Sequence, residues 1–338
     1  MDGLVIRGSR NIFTVRIGTG EIYSDCKVSS GIFPYNPNPG PHSPLPTPHS
    51  PYLECRIKGK VLKDAEGYYN PLAPGDRVTV EPDPGRPGTG MITALLHREN
   101  FFSRFNQKGG NTQLLASNVD LVLCLTTYMS PPFRPRFIDR VLLQTEFAGI
   151  PVCIVCNKTD LECDDIDVTE RLEDFRHIGY TVMETSAKTG AGLDELRRLI
   201  NGKRTVLVGQ SGVGKSSLIN SLLPELKIKT GDINQKYDRG NHTTVLASLI
   251  DILPDTQIID TPGIRRFVPD GIAPDEIILY MREFAPLAGK CSFGLSCSHR
   301  VEPGCKIMEA VHAGVIHEDR YTSFLRIHDE LSGKNNAD

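Results

Sequence analysis

Gly209 to Ser216 read GQSGVGKS, the pattern G-x-x-x-x-G-K-[ST], and this spacing suits the handling of a phosphate chain. Glycines let the backbone N–H groups of Ser211, Gly212, Val213, Gly214, Lys215, Ser216 and Ser217 close around phosphate oxygens at the positive end of a helix. Lys215 then sets a point charge on the β and γ phosphates, and the Ser216 hydroxyl is offered to Mg2+. The strand-like RTVLVG before the loop and the helical KSSLINSLL after it supply the setting such a loop needs. Further on, IIDTPG gives D-x-x-G: Asp260 could hold the metal through water, and the Gly263 N–H could meet the γ-phosphate. Between them RGNHTTVLAS offers Thr243 or Thr244 as a further metal ligand, in a loop suited to folding over the ion.

A phosphate loop does not choose between ATP and GTP. NKTD at Asn157 to Asp160 and TSAK at Thr185 to Lys188 bear on that choice. Guanine presents two donors, N1–H and N2–H, that the single carboxylate of Asp160 can accept, while Asn157 can serve the acceptor edge. Adenine offers no such pair. The Lys158 stem can lie along the ring, and the backbone of Ser186, Ala187 and Lys188 can donate to the guanine oxygen. The expected ligands are therefore GTP and GDP with Mg2+.

In an ordinary GTP-binding domain the base-reading tetrapeptide follows the phosphate loop, whereas here it precedes it. The order is base, base, phosphate, switch, metal, which is a circular permutation: GLDELRRLI runs through NGKR into the phosphate-loop strand and joins what would be two termini. The segment after DTPG becomes continuous with the C-terminal part, so a nucleotide-driven movement there can be passed on directly.

That C-terminal part carries Cys291, Cys297, His299 and Cys305, a C-x5-C-x-H-x5-C cluster. Three thiols and one imidazole are the donors of a closed tetrahedral site for one structural Zn2+. The nine cysteines of the chain are an odd number and point to thiols and metal ligands over a disulfide framework. Cys153 and Cys156, inside the apolar PVCIVC, read as core thiols.

The elements that must position these residues fall into three parts. From 113 to 270, apolar strands (VDLVLCLT, PVCIVC) alternate with amphipathic helices (RFIDRVLLQTEFAGI, VTERLEDFRHIG), which predicts an α/β P-loop domain with a covered parallel sheet. Residues 1–112 alternate apolar and polar residues between Gly and Pro turns, as in LVIRGSRNIFTVRI and APGDRVTVEP, and predict an all-β barrel of OB type. Residues 31–51 interrupt it with eight prolines, too many for a central strand or a helix. His42 and His49 are loop residues there. Residues 271–338 are expected to form a mainly helical zinc-binding domain.

The composition, 338 residues with 39% hydrophobic and 23% charged, is that of a globular chain with room for such a division. No apolar run approaches the roughly 18 residues of a membrane span, so no membrane partner and a cytoplasmic location are expected. The net charge of -3 gives no global nucleic-acid signature, although residues 1–112 carry 13 Lys and Arg against 10 Asp and Glu. HRENFFSRFNQKGG mixes Arg98, Arg104 and Lys108 with Phe101, Phe102 and Phe105, either as an RNA-contacting strip or as a linker pinned to the core by its aromatics.

With NPLAPGDRV, SNVD, NKTD, GQSGVGKSSLIN, HTT, DTPG and the Cys/His cluster in this order, the chain resembles the bacterial ribosome small subunit-dependent GTPase A (RsgA) family over nearly its whole length. The resemblance implies a protein that acts late in small-subunit assembly, and a monomer is expected. It implies binding to the immature 30S particle and its 16S rRNA through the barrel and the zinc domain, and faster GTP hydrolysis there. The residue after Gly263 is Ile264, which cannot orient a water as Gln does in well-known GTPases, so slow intrinsic turnover is expected. His242 or a group on the ribosome would supply that function. The alternative is a GTP-dependent switch that binds a protein or a single-stranded nucleic acid other than rRNA.

Overall fold

The computed structural model describes residues 1–9, 11–18, 51–59, 67–161, 166–223, 247–253 and 255–333. His42, His49, His242, Thr243, Thr244 and all of the proline-rich stretch 31–51 except Pro51 lie outside them.

Five strands build the first unit: β1 (Asp2–Ser9), β2 (Ile12–Ile17), β3 (Tyr52–Ile57), β4 (Arg77–Pro82) and β5 (Thr89–Leu95). They pair in the order β1-β2-β3-β5-β4, and β4 returns to β1, so the sheet closes on itself. The pairing of β3 with β5 is parallel and the rest antiparallel. Period-2 alternation sends Val5, Phe13, Val15, Leu53, Cys55, Val78, Val80 and Ile92 into one interior, as the sequence texture predicts.

A hairpin follows, β6 (Phe101–Asn106) with β7 (Asn111–Ser117). The stretch from Phe101 is thus one strand of a hairpin, and a division of the chain at 112/113 falls inside β7. Phe102 pins it, fully buried with its ring 5.6 Å from that of Phe267, whereas Phe105 is exposed. Asn70 stitches the barrel to this hairpin, donating to Leu114 O and accepting from Leu114 N at 2.9 and 3.1 Å.

The central layer consists of β8 (Leu121–Thr127), β9 (Val152–Asn157), β10 (Thr181–Thr185), β11 (Arg204–Gly209), β12 (Ser248–Leu253) and β13 (Thr256–Asp260), in the order β10-β9-β8-β11-β13-β12. All of these pairings are parallel except that of β12. Both faces are buried, so the strands read as continuous apolar runs, and alternate residues divide between two cores. Val122, Cys124, Val206 and Val208 face α1 (Pro135–Ala148) and α2 (Ile166–His177). Leu121, Leu123, Leu125 and Leu207 face α3 (Leu193–Ile200) and α4 (Lys215–Leu222). Cys153 and Cys156 are buried in β9, each facing one of these cores. Arg7 of β1 pairs with Ser248 of β12, which makes the barrel continuous with this sheet.

The C-terminal unit has a 3-10 segment over Pro274–Tyr280, then α5 (Lys306–His312) and α6 (Glu318–Leu331), around Ile277, Phe284, Ile307, Phe324 and Ile327. A charged network fastens it to the central layer. Arg320 of α6 is 1% exposed and donates to Asp139 of α1 at 2.8 Å and to Glu283 at 2.9 Å, while Arg171 of α2 donates to the same Asp139 at 3.3 Å. Charges this deep persist only when paired. Among the described residues no helix is long and apolar enough to cross a membrane.

Candidate functional site

The motif residues converge at the C-terminal ends of the parallel strands, where open α/β sheets carry their ligands. β11 ends at Gly209 and α4 begins at Lys215, so the loop between them delivers its backbone N–H groups to the positive end of a helix with no acidic residue in its first turn. Gly214 has φ of 93°, and a Cβ there would meet Asn157 Nδ2 at 2.5 Å, so any side chain would both strain the turn and strike the neighbouring motif.

Lys215 is 8% exposed, and its ammonium donates to Gly209 O and Gln210 O at 3.0 and 3.1 Å. Burial lowers its pKa, and Asp260 partly offsets this. At the end of β13, burial pushes the Asp260 carboxyl up to about 6, with Lys215 pulling the other way. Asp260 Oδ1 is buried and has no hydrogen-bond partner among the described residues. An open carboxylate lone pair beside a phosphate loop fits a hydrated divalent cation. Ser216 stands on the first turn of α4; Thr243 and Thr244 are not described.

Gly263 lies against the loop: a Cβ there would come within 2.9 Å of Ser211 Cα. Ile264 N donates to Gly209 O at 3.1 Å and its side chain is 3% exposed, packed in the core beneath α1. The segment after DTPG is thereby bound to the strand that leads into the phosphate loop. The Ile264 side chain is aliphatic and is held among the apolar residues of this core.

The residues expected to read the base assemble from three loops. Asn157 at the end of β9 is 1% exposed; its Nδ2 donates to Val213 O at 3.0 Å and its Oδ1 accepts from Thr185 Oγ1 and Ala187 N, each at 3.3 Å. Lys158, with φ of 66°, donates to Gly212 O at 2.7 Å and Ser130 O at 2.6 Å. Asp160 accepts from Ser186 Oγ at 2.6 Å, and this bond is the main reason its carboxylate lies below the usual range; Lys188 Nζ stands 3.5 Å away and adds to it. Ser221 of α4 donates to Ala187 O at 2.9 Å and ties the third loop to the phosphate-loop helix.

Sequence reasoning missed part of this framework. Ser130 belongs to the loop between β8 and α1, which borders the phosphate loop at Gly212, and Thr185 backs Asn157 from inside the sheet. The Pro-rich SPPFRP after β8 was the available signal for an ordered turn.

The second cluster sits in the C-terminal unit. The Sγ atoms of Cys291, Cys297 and Cys305 and a ring nitrogen of His299 lie within 4.8 Å of one another, all four residues buried. Cys291 Sγ is 3.9 Å from Cys305 Sγ, and His299 Nδ1 is 3.6 and 3.5 Å from these two. A tetrahedral ion with bonds of about 2.3 Å to sulfur needs donor separations near 3.7 Å, so the cluster fits Zn2+ with little adjustment. Lys306 N donates to Cys291 Sγ at 3.3 Å and the Tyr321 hydroxyl to His299 O at 2.6 Å, supports of the kind that orient metal ligands.

Comparison with known proteins agrees with this geometry. The profile of the family described as RsgA GTPase matches residues 95–268. The small ribosomal subunit biogenesis GTPase RsgA 2 of Bacteroides thetaiotaomicron is 37% identical over 292 residues, covering 85% of this chain and 93% of that protein. The RsgA of Alcanivorax borkumensis is 39% identical over 263 residues, covering 77% of this chain and 74% of its own. Among solved structures, YjeQ from Thermotoga maritima matches with a TM-score of 0.68 at 30% identity, over 98% of each chain. YloQ, described as a circularly permuted GTPase, matches in fold with a TM-score of 0.63 at 21% identity, over 100% of this chain and 96% of its own.

Proposed function

We propose, from the premise that this chain belongs to the RsgA GTPase family, that it hydrolyses GTP to GDP and phosphate as a switch in the maturation of the small ribosomal subunit. One observation carries the reading at the site: Asn157 bonds at once to the phosphate loop and to the Ser186–Lys188 loop, so base and phosphate recognition form a single rigid cradle.

In that cradle Asp160 accepts the two guanine donors, Lys158 lies along the ring, and the Ser186–Lys188 backbone meets the guanine oxygen. The amides of Ser211 to Ser217 and the Lys215 ammonium hold the phosphates. Ser216, Asp260 and Thr243 or Thr244 would hold Mg2+, which would supply positive charge beside the phosphates. The Gly263 N–H senses the γ-phosphate. Since Ile264 is packed in the core, the attacking water is oriented by His242 or by a group on the particle.

Cys291, Cys297, His299 and Cys305 would hold one Zn2+, and a four-donor set of this kind suits a structural cross-link of the C-terminal unit. The divisions 1–112, 113–270 and 271–338 serve as RNA-binding barrel, GTPase and zinc-binding unit, in a monomeric cytoplasmic protein that contacts 16S rRNA. Relatives named for small-subunit biogenesis support the partner. Sedimentation on sucrose gradients tests it: with a non-hydrolysable GTP analogue the protein should travel with 30S particles and not with 50S. Migration with neither would overturn the assignment of the partner.

A further inference from the structure

Beside the phosphate loop, the first turn of α1 and the segment after DTPG line an open cavity of about 430 Å3. Its walls include Arg134, Arg136, Arg140, Arg265 and Arg266, together with Gln210 of the phosphate loop. The acidic groups against it are few and already committed. Glu330 of α6 accepts from both Arg140 and Arg266 at 2.6 Å, and Asp319 stands 3.8 Å from Arg136 and 3.6 Å from Arg171. Arg134 and Arg265 are exposed and make no ion pair among the described residues.

Two further features favour an anion. The N-terminus of α1, a helix of 14 residues, has no side-chain cap and no acidic residue in its first turn, so its positive end is uncompensated at the cavity. Gln210 is 8% exposed, and its buried Nε2 has no hydrogen-bond partner among the described residues. A buried donor left unpaired is normally costly, so it marks a wall awaiting an acceptor.

We propose that this pocket takes phosphodiester groups of the RNA backbone, gripped by Arg134 and Arg265 and backed by the α1 N-terminus. The inference rests on the reading of the chain as a partner of the small subunit and adds where that RNA touches the switch. Arginine forks suit phosphate oxygens, and an open cavity carries no base-edge selectivity. Because Arg265 and Arg266 directly follow Ile264, RNA bound here holds the same segment that Gly263 presents to the phosphate loop.

The test measures affinity of the full chain for 30S subunits across a potassium chloride series, with a non-hydrolysable GTP analogue, for wild type, for the Arg134→Gln/Arg265→Gln double variant, and for Arg265→Lys. Basal GTP hydrolysis without ribosomes serves as the control for folding, and it should be equal in all three. Each phosphate contact contributes about 0.7–0.9 to the slope of log affinity against log salt. The double variant should bind roughly tenfold more weakly near physiological salt and lose one to two units of slope, while Arg265→Lys keeps the slope. Equal affinity and slope in the double variant would overturn the proposal. Weaker binding at unchanged slope would assign the pocket to a ribosomal protein and overturn it as well. Failure of the wild type to bind would instead refute the reading of the chain's function, and this inference with it.

Discussion

The Asn157 side-chain amide donates to the Val213 carbonyl at 3.0 Å, joining the end of β9 to a loop 56 residues further along the chain. Circular permutation changes the order in which these pieces are synthesised and leaves this bond available. Asn157→Ala would leave its three partners unsatisfied in a buried place, each costing about 1–3 kcal/mol at most. GTP and GDP affinity should drop by at least roughly tenfold, in titrations with a fluorescent nucleotide, while far-ultraviolet circular dichroism stays as in wild type. Unchanged affinity would show that the base and phosphate loops are positioned independently.

Asp160 is held ionised by the Ser186 hydroxyl. Asp160→Asn replaces an acceptor pair with one acceptor and one donor, which matches xanthine in place of guanine. Competition binding should show GTP affinity reduced roughly tenfold to a hundredfold and xanthosine triphosphate favoured. A variant that keeps its preference for GTP would mean that the carboxylate does not read the base.

Arg320 and Asp139 form the buried link between α6 and α1. Removing one partner of such a pair costs about 3–5 kcal/mol, because the other is left as an unpaired charge. Arg320→Ala should therefore release the C-terminal unit, seen as a separate low-temperature transition in calorimetry. Replacing Arg320, Asp139 and Glu283 together with apolar residues of similar volume should recover most of the loss, since Arg171 keeps Asp174 as a partner.

Glu330 grips Arg140 of α1 and Arg266 of the segment after DTPG with one carboxylate. Glu330→Gln keeps the shape and removes the charge, so amide hydrogen exchange should rise by roughly tenfold over residues 264–268 if about 1.5 kcal/mol of charge-assisted bonding is lost. Exchange indistinguishable from wild type would show that Phe267, packed against Phe102 and Phe137, anchors the segment alone.

Zinc content offers a further check. The purified protein should carry one ion per chain, released by a thiol-reactive reagent and reported by a metallochromic dye. Cys297→Ser should lose it and lower the stability of α5 and α6, since structural zinc contributes folding free energy directly. Full helical content and unchanged stability without the ion would make the four donors an ordinary core cluster.

Much of this was legible in the sequence, and the reason is local. GQSGVGKS, NKTD, TSAK and DTPG each encode a loop geometry within a few residues, and the buried strands around them are apolar enough to read directly. The Cys/His spacing spans only 15 residues, and the structure gathers all four donors. The rest depends on distant partners. Phe101–Asn106 reads as a charged aromatic strip until Asn111–Ser117 pairs with it. Nothing local to Glu330 signals its contact with Arg266, 64 positions earlier. The burial of Arg320 has no local signal either, because its partners Asp139 and Glu283 come from two other segments.

GTP hydrolysis by the purified chain, measured alone, with 30S subunits and with 50S subunits, tests the central claim most directly. Slow turnover alone, strong stimulation by 30S and none by 50S is the predicted result, because Ile264 cannot orient the attacking water. Equal rates in all three, with GTP binding intact, would contradict a ribosome-gated switch.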